Sequence, residues 1–259
     1  PPPQPTPPPP QTPPPGGGGG PPHGRETSKK AVLKIVEGGV SLGKNPSAWP
    51  VDWVAEWGDA SREFPYAKAK LAVQDGALFL AFEVKDPTPW LNNGVDKNLL
   101  FKTGDAVDFQ FAADPAASPN RNNAAAGDRR LLIASFGGKP VAVLYDYVVP
   151  GSAAQPVMFS SPTQSTRVDR VRVLDEADVR VIKSKNGYTV SASVPLGSLG
   201  LDASLSGEIR ADLGVIYGDE KGTVNILRSY WSNTVTGLVD DVPGETRLSP
   251  NRWGILEIK

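Results

Sequence analysis

The chain has 259 residues, no cysteine, one histidine and a formal net charge of -1. That is length enough for one large domain or two small ones, and it allows no disulfide framework. Lysine and arginine are scattered among aspartate and glutamate, which offers no basic stripe to a phosphate backbone, and no run approaches the ~18 apolar residues of a spanning helix; neither nucleic acid nor a membrane is an expected partner.

The chain opens PPPQPTPPPP without an initiator methionine and is read as a piece of a longer protein. PPPQPTPPPPQTPPP predicts extended polyproline II, and Gly16 to Gly20 a flexible joint. Residues 1–30 are therefore expected to form a disordered Pro/Gly-rich linker tethering a domain over 31–259 to an upstream domain of the same polypeptide. The alternatives are a chain end with no neighbour and a ligand for a proline-recognising domain.

From Ala31 onward the apolar residues alternate with a period of two. SAWPVDWVAEW spaces Trp49, Trp53 and Trp57 by four, but Pro50 interrupts any helical turn, so these rings are expected to pack the N-terminal segment onto a sheet. In LAVQDGALFLAFEV the pair Asp75-Gly76 suits a type I′ hairpin turn, with Leu78, Leu80, Phe82 and Val84 on one strand face. VKDPTPWLNNGVDKN then sets Trp90 among prolines, asparagines and aspartates, where it is either a plug folded back on the core or a surface for a ligand. In GDAVDFQFA, Val107, Phe109 and Phe111 face one way and Asp108 and Gln110 the other, towards solvent. LLIASFGGKPVAVLYDY turns at Gly137-Gly138 and VRVIKSKNGYTVSASV at Asn186-Gly187, while Met158 in QPVMFSS is expected to pack. PLGSLG reads as a single helical turn, and EIRADLGVIY and RWGILEIK as closing strands. Many antiparallel strands and almost no helix predict an all-β chain, an antiparallel β-sandwich of jelly-roll or immunoglobulin-like type.

The hairpin DGALFLAFEVKD, the strand GDAVDFQFAAD, the segment NGYTVSASVPLGSLGL and the closing RWGILEIK, in that order, resemble carbohydrate-binding module family 9 and related sandwich domains of the sugar- and haem-binding superfamily. Residues 116–130 and 149–169 lie outside the resemblance. It implies a bacterial module, extracellular or at the cell surface or in the periplasm, that binds a polysaccharide or oligosaccharide with a pair of tryptophans and frequently carries structural calcium. It also gives Trp253 a structural role, as the family's closing tryptophan.

On that reading Trp90 is a stacking platform opposed by Trp231, with Asn93, Asp108 and Gln110 supplying hydrogen bonds to sugar hydroxyls. For each tryptophan the alternative is a cap on the open end of the sandwich. Asp240 and Asp241, adjacent in LVDDVPGE, are the expected calcium ligands, against the alternative of solvated turn residues. The sole histidine, His23, lies in the tail and cysteine is absent, which removes histidine acid-base chemistry, serine triads and cysteine nucleophiles from the domain. No haem is expected, because Met158 and lysines are the ligands on offer. The expected function is a noncatalytic module serving an upstream glycoside hydrolase. A structural or adhesive sandwich, and a haem-binding electron-transfer domain, are the alternatives.

Overall fold

The computed structural model describes residues 28–62, 64–202, 205–236 and 240–259, so residues 1–27 of the expected tail lie outside the described residues, and Lys30, expected at its end, already belongs to the first strand. The strands are β1 (Lys30–Ile35), β2 (Ala55–Gly58), β3 (Tyr66–Gln74), β4 (Ala77–Lys85), β5 (Ala106–Ala112), β6 (Asp128–Phe136) and β7 (Lys139–Asp146). A small hairpin of β8 (Val157–Ser160) and β9 (Ser165–Val168) precedes β10 (Arg170–Val173), β11 (Asp178–Ser184), β12 (Gly187–Pro195), β13 (Gly207–Gly218), β14 (Asn225–Tyr230) and β15 (Gly254–Ile258). Among the described residues one short α-helix, α1 (Val242–Thr246), follows β14, and no helix is long and apolar enough to cross a membrane.

All the strands but β8 and β9, which pair only with each other, form one continuous path, β10-β7-β6-β5-β13-β15-β1-β3-β4-β12-β11, with β14 beside β13 and β2 beside β3. It folds into two layers at β1: Lys30 to Leu33 pair with β15 of the first layer, and Lys34 and Ile35 with β3 of the second. Both of these pairings are parallel, a departure from the all-antiparallel expectation. Leu71, Leu80 and Phe82 of the second layer meet Val107, Phe109, Leu131 and Leu213 of the first in a buried core. Each such side chain contributes about 1.5–3 kcal/mol when withdrawn from water.

The hairpins follow local turn chemistry. Asp75 (φ 51°) and Gly76 (φ 72°) form the connection between β3 and β4, and Gly137 (φ 59°) and Gly138 (φ 79°) that between β6 and β7. The third turn sits one residue earlier than expected: Ser184 pairs with Gly187, which leaves Lys185 and Asn186 at the tip. Gly187, at φ 150°, is instead the first residue of a central strand, where a Cβ would collide with the carbonyl of Val84. Glycine there serves a close strand approach.

Both outer faces of the sandwich are partly covered. On the first layer Leu132, Val143, Tyr145 and Ile216 pack under Phe101, Phe159, Leu248 and Trp253. On the second, Ala72 and Ala81 pack under Val40, Trp49 and Val51. The first cover decides the fate of the residues expected to meet a ligand.

Candidate functional site

The loop from Asp86 to Asp105 carries Trp90 inward. The ring is 4% exposed and meets Tyr188 edge to face, with centroids 4.6 Å apart. The polar residues around it in sequence serve backbone: Asn92 Nδ2 donates to the Leu100 carbonyl of the same loop at 2.7 Å, and Asn93 Nδ2 to that of Lys221, between β13 and β14, at 2.7 Å. The Leu91 N–H donates to Asp105 Oδ2 at 2.8 Å. Trp231 is likewise 5% exposed, its ring packed so closely on Gly254 that a Cβ there would strike it. Both rings belong to the inter-layer core, so neither is the exposed platform that the clamp requires. Asn93 remains at the surface, its amide bonded to the Lys221 carbonyl.

Asp108 and Gln110 do leave β5 on the face opposite Phe109, but that face is roofed. Asp108 is fully buried and pairs with the Arg130 guanidinium at 2.8 Å, a contact too poorly aligned to count as a hydrogen bond. It also accepts from the Tyr230 hydroxyl and from Gln110 Nε2, and Gln110 Oε1 accepts from Trp253 Nε1 at 3.2 Å. The Arg130 guanidinium lies 5.0 Å from the Phe101 ring centre and donates to the Glu245 carbonyl at 3.1 Å. Glu245, from α1, fills the space with its own carboxylate, which accepts from Lys102 at 2.8 Å and Asn225 at 2.6 Å. Burial works against the charged guanidinium, yet the Asp108 carboxylate together with Tyr230, Tyr147 and Tyr145 outweighs it and holds Arg130 well above its ordinary pKa. Burial pushes the hydroxyls of Tyr145, Tyr147 and Tyr230 up, so they act as neutral donors. The residues form a closed polar centre occupied by the protein itself.

Asp240 and Asp241 do not fit the expected calcium site. Asp241 caps α1, accepting from the Gly244 N–H at 2.9 Å, and also binds Gln164 Nε2 at 2.8 Å. Asp240 Oδ1 accepts from the Asp241 N–H at 2.8 Å. Among the described residues no three of His, Cys, Asp and Glu converge on one point, whereas calcium takes about 6–8 oxygen ligands. Met158, expected to pack, is 54% exposed on β8.

An open cleft of about 510 Å³ lies at the edge of the same cover. Tyr147, whose hydroxyl is tied to the Thr246 carbonyl, and Leu248 lie buried beneath it; Val148 is its exposed apolar wall, and its rim carries Asn123, Ser165, Thr166, Arg167 and Arg247. Arg247 and Arg167 are surface residues, the former held by Gln164 Oε1 at 2.8 Å. The one carboxylate lining the cleft, Asp169, accepts from the Val149 N–H and from Arg167 Nε, both at 2.8 Å, and these hydrogen bonds keep its pKa low. Sequence reasoning missed this cleft. Its walls come largely from residues 116–130 and 149–169, which carry no familiar motif and no exposed tryptophan.

No protein-family model matches the chain, and no curated protein matches it. Among solved structures it is similar to a carbohydrate-binding module family 9 from Caldicellulosiruptor kristjanssonii in complex with cellotriose, at 15% identity and TM-score 0.52, over 89% of this chain and 94% of that one. A family 9 module from the same organism in complex with glucose matches at 14% identity and TM-score 0.47, over 89% and 96%. The first likeness shows the fold: a two-layer β-sandwich of the kind the sequence motifs resemble.

Proposed function

We propose that this domain is a noncatalytic module that binds a polysaccharide or oligosaccharide in the cleft over Tyr147 and Leu248. The cleft itself carries the reading. At about 510 Å³ it has the size of a small-molecule site, with Val148, 38% exposed over the buried Tyr147 and Leu248, for the C–H face of a sugar, and amide, hydroxyl and guanidinium groups at the rim for its hydroxyls. The fold supports the same class, since the family 9 structure that it resembles is a complex with cellotriose. Glycoside hydrolysis calls for two carboxyl groups facing one another about 5–10 Å apart, whereas Asp169 alone lines this cleft and is spent on Val149 and Arg167.

Single-site binding in the micromolar to millimolar range suits a tethered module, because the tether raises its effective concentration. The proline-rich segment is accordingly read as the join to an upstream catalytic domain of a secreted or surface protein. The buried Trp90 and Trp231 favour one other reading, a structural sandwich without a sugar site. A glycan array probed with the full chain separates the two: retention on at least one polysaccharide, reduced in Asn123→Ala and Arg247→Ala, supports the module, and no retention on any glycan supports the structural domain.

A further inference from the structure

Of the six tryptophans, Trp53 is the one that is not buried; the other five are 1–5% exposed. It ends a segment laid across the outer face of the second layer, fixed by Trp49 Nε1 to the Ser41 carbonyl at 3.0 Å and by the Val54 N–H to the Ala69 carbonyl at 2.8 Å. The ring is thereby held in place by backbone and core contacts on both sides of it.

Two ammonium groups lie at this ring, Lys68 Nζ 4.3 Å and Lys70 Nζ 5.0 Å from its centre. Two residues apart on β3, these side chains leave the same side of the sheet, so the indole spans both. Lys68 is paired with Glu83 at 3.0 Å. Lys70 is 4% exposed and, among the described residues, its ammonium makes no direct hydrogen bond or ion pair, the Asp52 charge acting on it from farther off. It sits near the surface rather than deep in the core. Burial lowers its pKa, with the charge of Asp52 acting the other way, so an anion close by would offset a cost that the free protein carries.

Beside the ring runs a groove of about 360 Å³, with Val32, Val51 and Val54 as walls and Lys34, Asp52 and Lys259 at the rim. Lys34 and Asp52 pair at 3.1 Å with side chains 44% and 89% exposed, a surface contact of little net worth that a ligand carboxylate can replace. The lysines also offset the negative face of the indole, which makes the platform tolerant of an anionic ligand.

We propose that this groove is a second ligand site, on the opposite layer from the Tyr147 cleft, for a carboxylate-bearing sugar ring: the ring stacks on Trp53 and its carboxylate faces Lys34 and Lys259 at the rim, with the Lys70 ammonium beside the same indole adding attraction at longer range. The site stands on its own residues, whether or not the cleft binds a saccharide.

The probes are trigalacturonate and its methyl ester, which keeps the rings and removes the charge, titrated into the full chain by calorimetry and tryptophan fluorescence at low salt. The acid binds and changes the fluorescence, weakens as salt rises, and binds about tenfold or more tightly than the ester. Trp53→Ala abolishes the response, Lys70→Met weakens it several-fold, and Arg247→Ala leaves it unchanged. Thermal unfolding verifies that each variant is folded; should Trp53→Ala not fold, Trp53→Phe and Lys70→Met report the same loss. No binding of the acid, equal binding of acid and ester, or unaltered binding by folded Trp53 and Lys70 variants overturns the proposal.

Discussion

The carboxyl groups of Asp86 and Asp105 lie within hydrogen-bonding reach of one another, both at most 1% exposed, beside the buried rings of Tyr188 and Tyr217 and with no cation paired to either among the described residues. Asp86 Oδ1 is spent on the Thr88 N–H and hydroxyl, and Asp105 on the N–H groups of Leu91 and Gly218. Two such groups cannot both stay charged cheaply, and one shared proton relieves the repulsion.

The first prediction concerns pH. Burial raises both carboxyls, and the neighbouring Asp86 charge adds to the rise of Asp105, to about 7; burial likewise raises Asp212 to about 7. The folded protein then binds these protons more tightly than the unfolded chain, whose value is near 3.8. Unfolding releases them within that window, so stability falls as pH rises from about 4 to 7, on the order of 1.4 kcal/mol per pH unit for each proton released. Carboxyls held low by hydrogen bonds, such as Asp169, act oppositely and lose their contribution below about pH 4. Denaturant unfolding across pH should show a maximum on the acid side of neutrality. Asp86→Asn, whose amide can donate to Asp105, should flatten the fall; a slope equal to that of the wild type would show that the pair does not share a proton.

The second prediction is that Trp90 acts as a plug. Its contact with Tyr188 ties the loop to β12, and truncation leaves a large cavity at the end of the core. Trp90→Ala should lose about 3–5 kcal/mol of stability and leave glycan retention unchanged in the folded fraction. Lost retention with undiminished stability would restore the clamp.

Much of the architecture was legible because its signals are local. Asp75-Gly76 and the alternation of Val107, Phe109 and Phe111 need only adjacent residues to be read, and the structure repeats both. The site was not legible, for a physical reason. Polar residues alternating with apolar ones mark a second face without saying what covers it: Asp108 meets Arg130, itself bonded to the Glu245 carbonyl, and Gln110 meets Trp253, Glu245 and Trp253 both coming from the far end of the chain. Trp90 misled in the same way: its sequence neighbours are polar because they satisfy loop backbone, while its packing partner comes from another strand.

The third prediction addresses the polar centre. Asp108→Ala leaves the Arg130 guanidinium buried without its counter-charge and should cost about 3–5 kcal/mol. Replacing both, Asp108→Leu with Arg130→Met, should cost less than the sum of the single changes, since no lone charge remains. A double-mutant cycle by chemical denaturation measures this. Strict additivity would mean that the two groups are not coupled.

The central claim is that a saccharide binds over Tyr147 and Leu248. Backbone and side-chain amide resonances, followed by heteronuclear NMR while the oligosaccharide best retained on the array is added, test it most directly. Shifts concentrated on Asn123, Ser165 to Asp169 and Arg247, with Trp90 and Trp231 undisturbed, are the predicted result. Shifts confined to the Trp90 and Trp231 indoles, or none at saturating sugar, would contradict it.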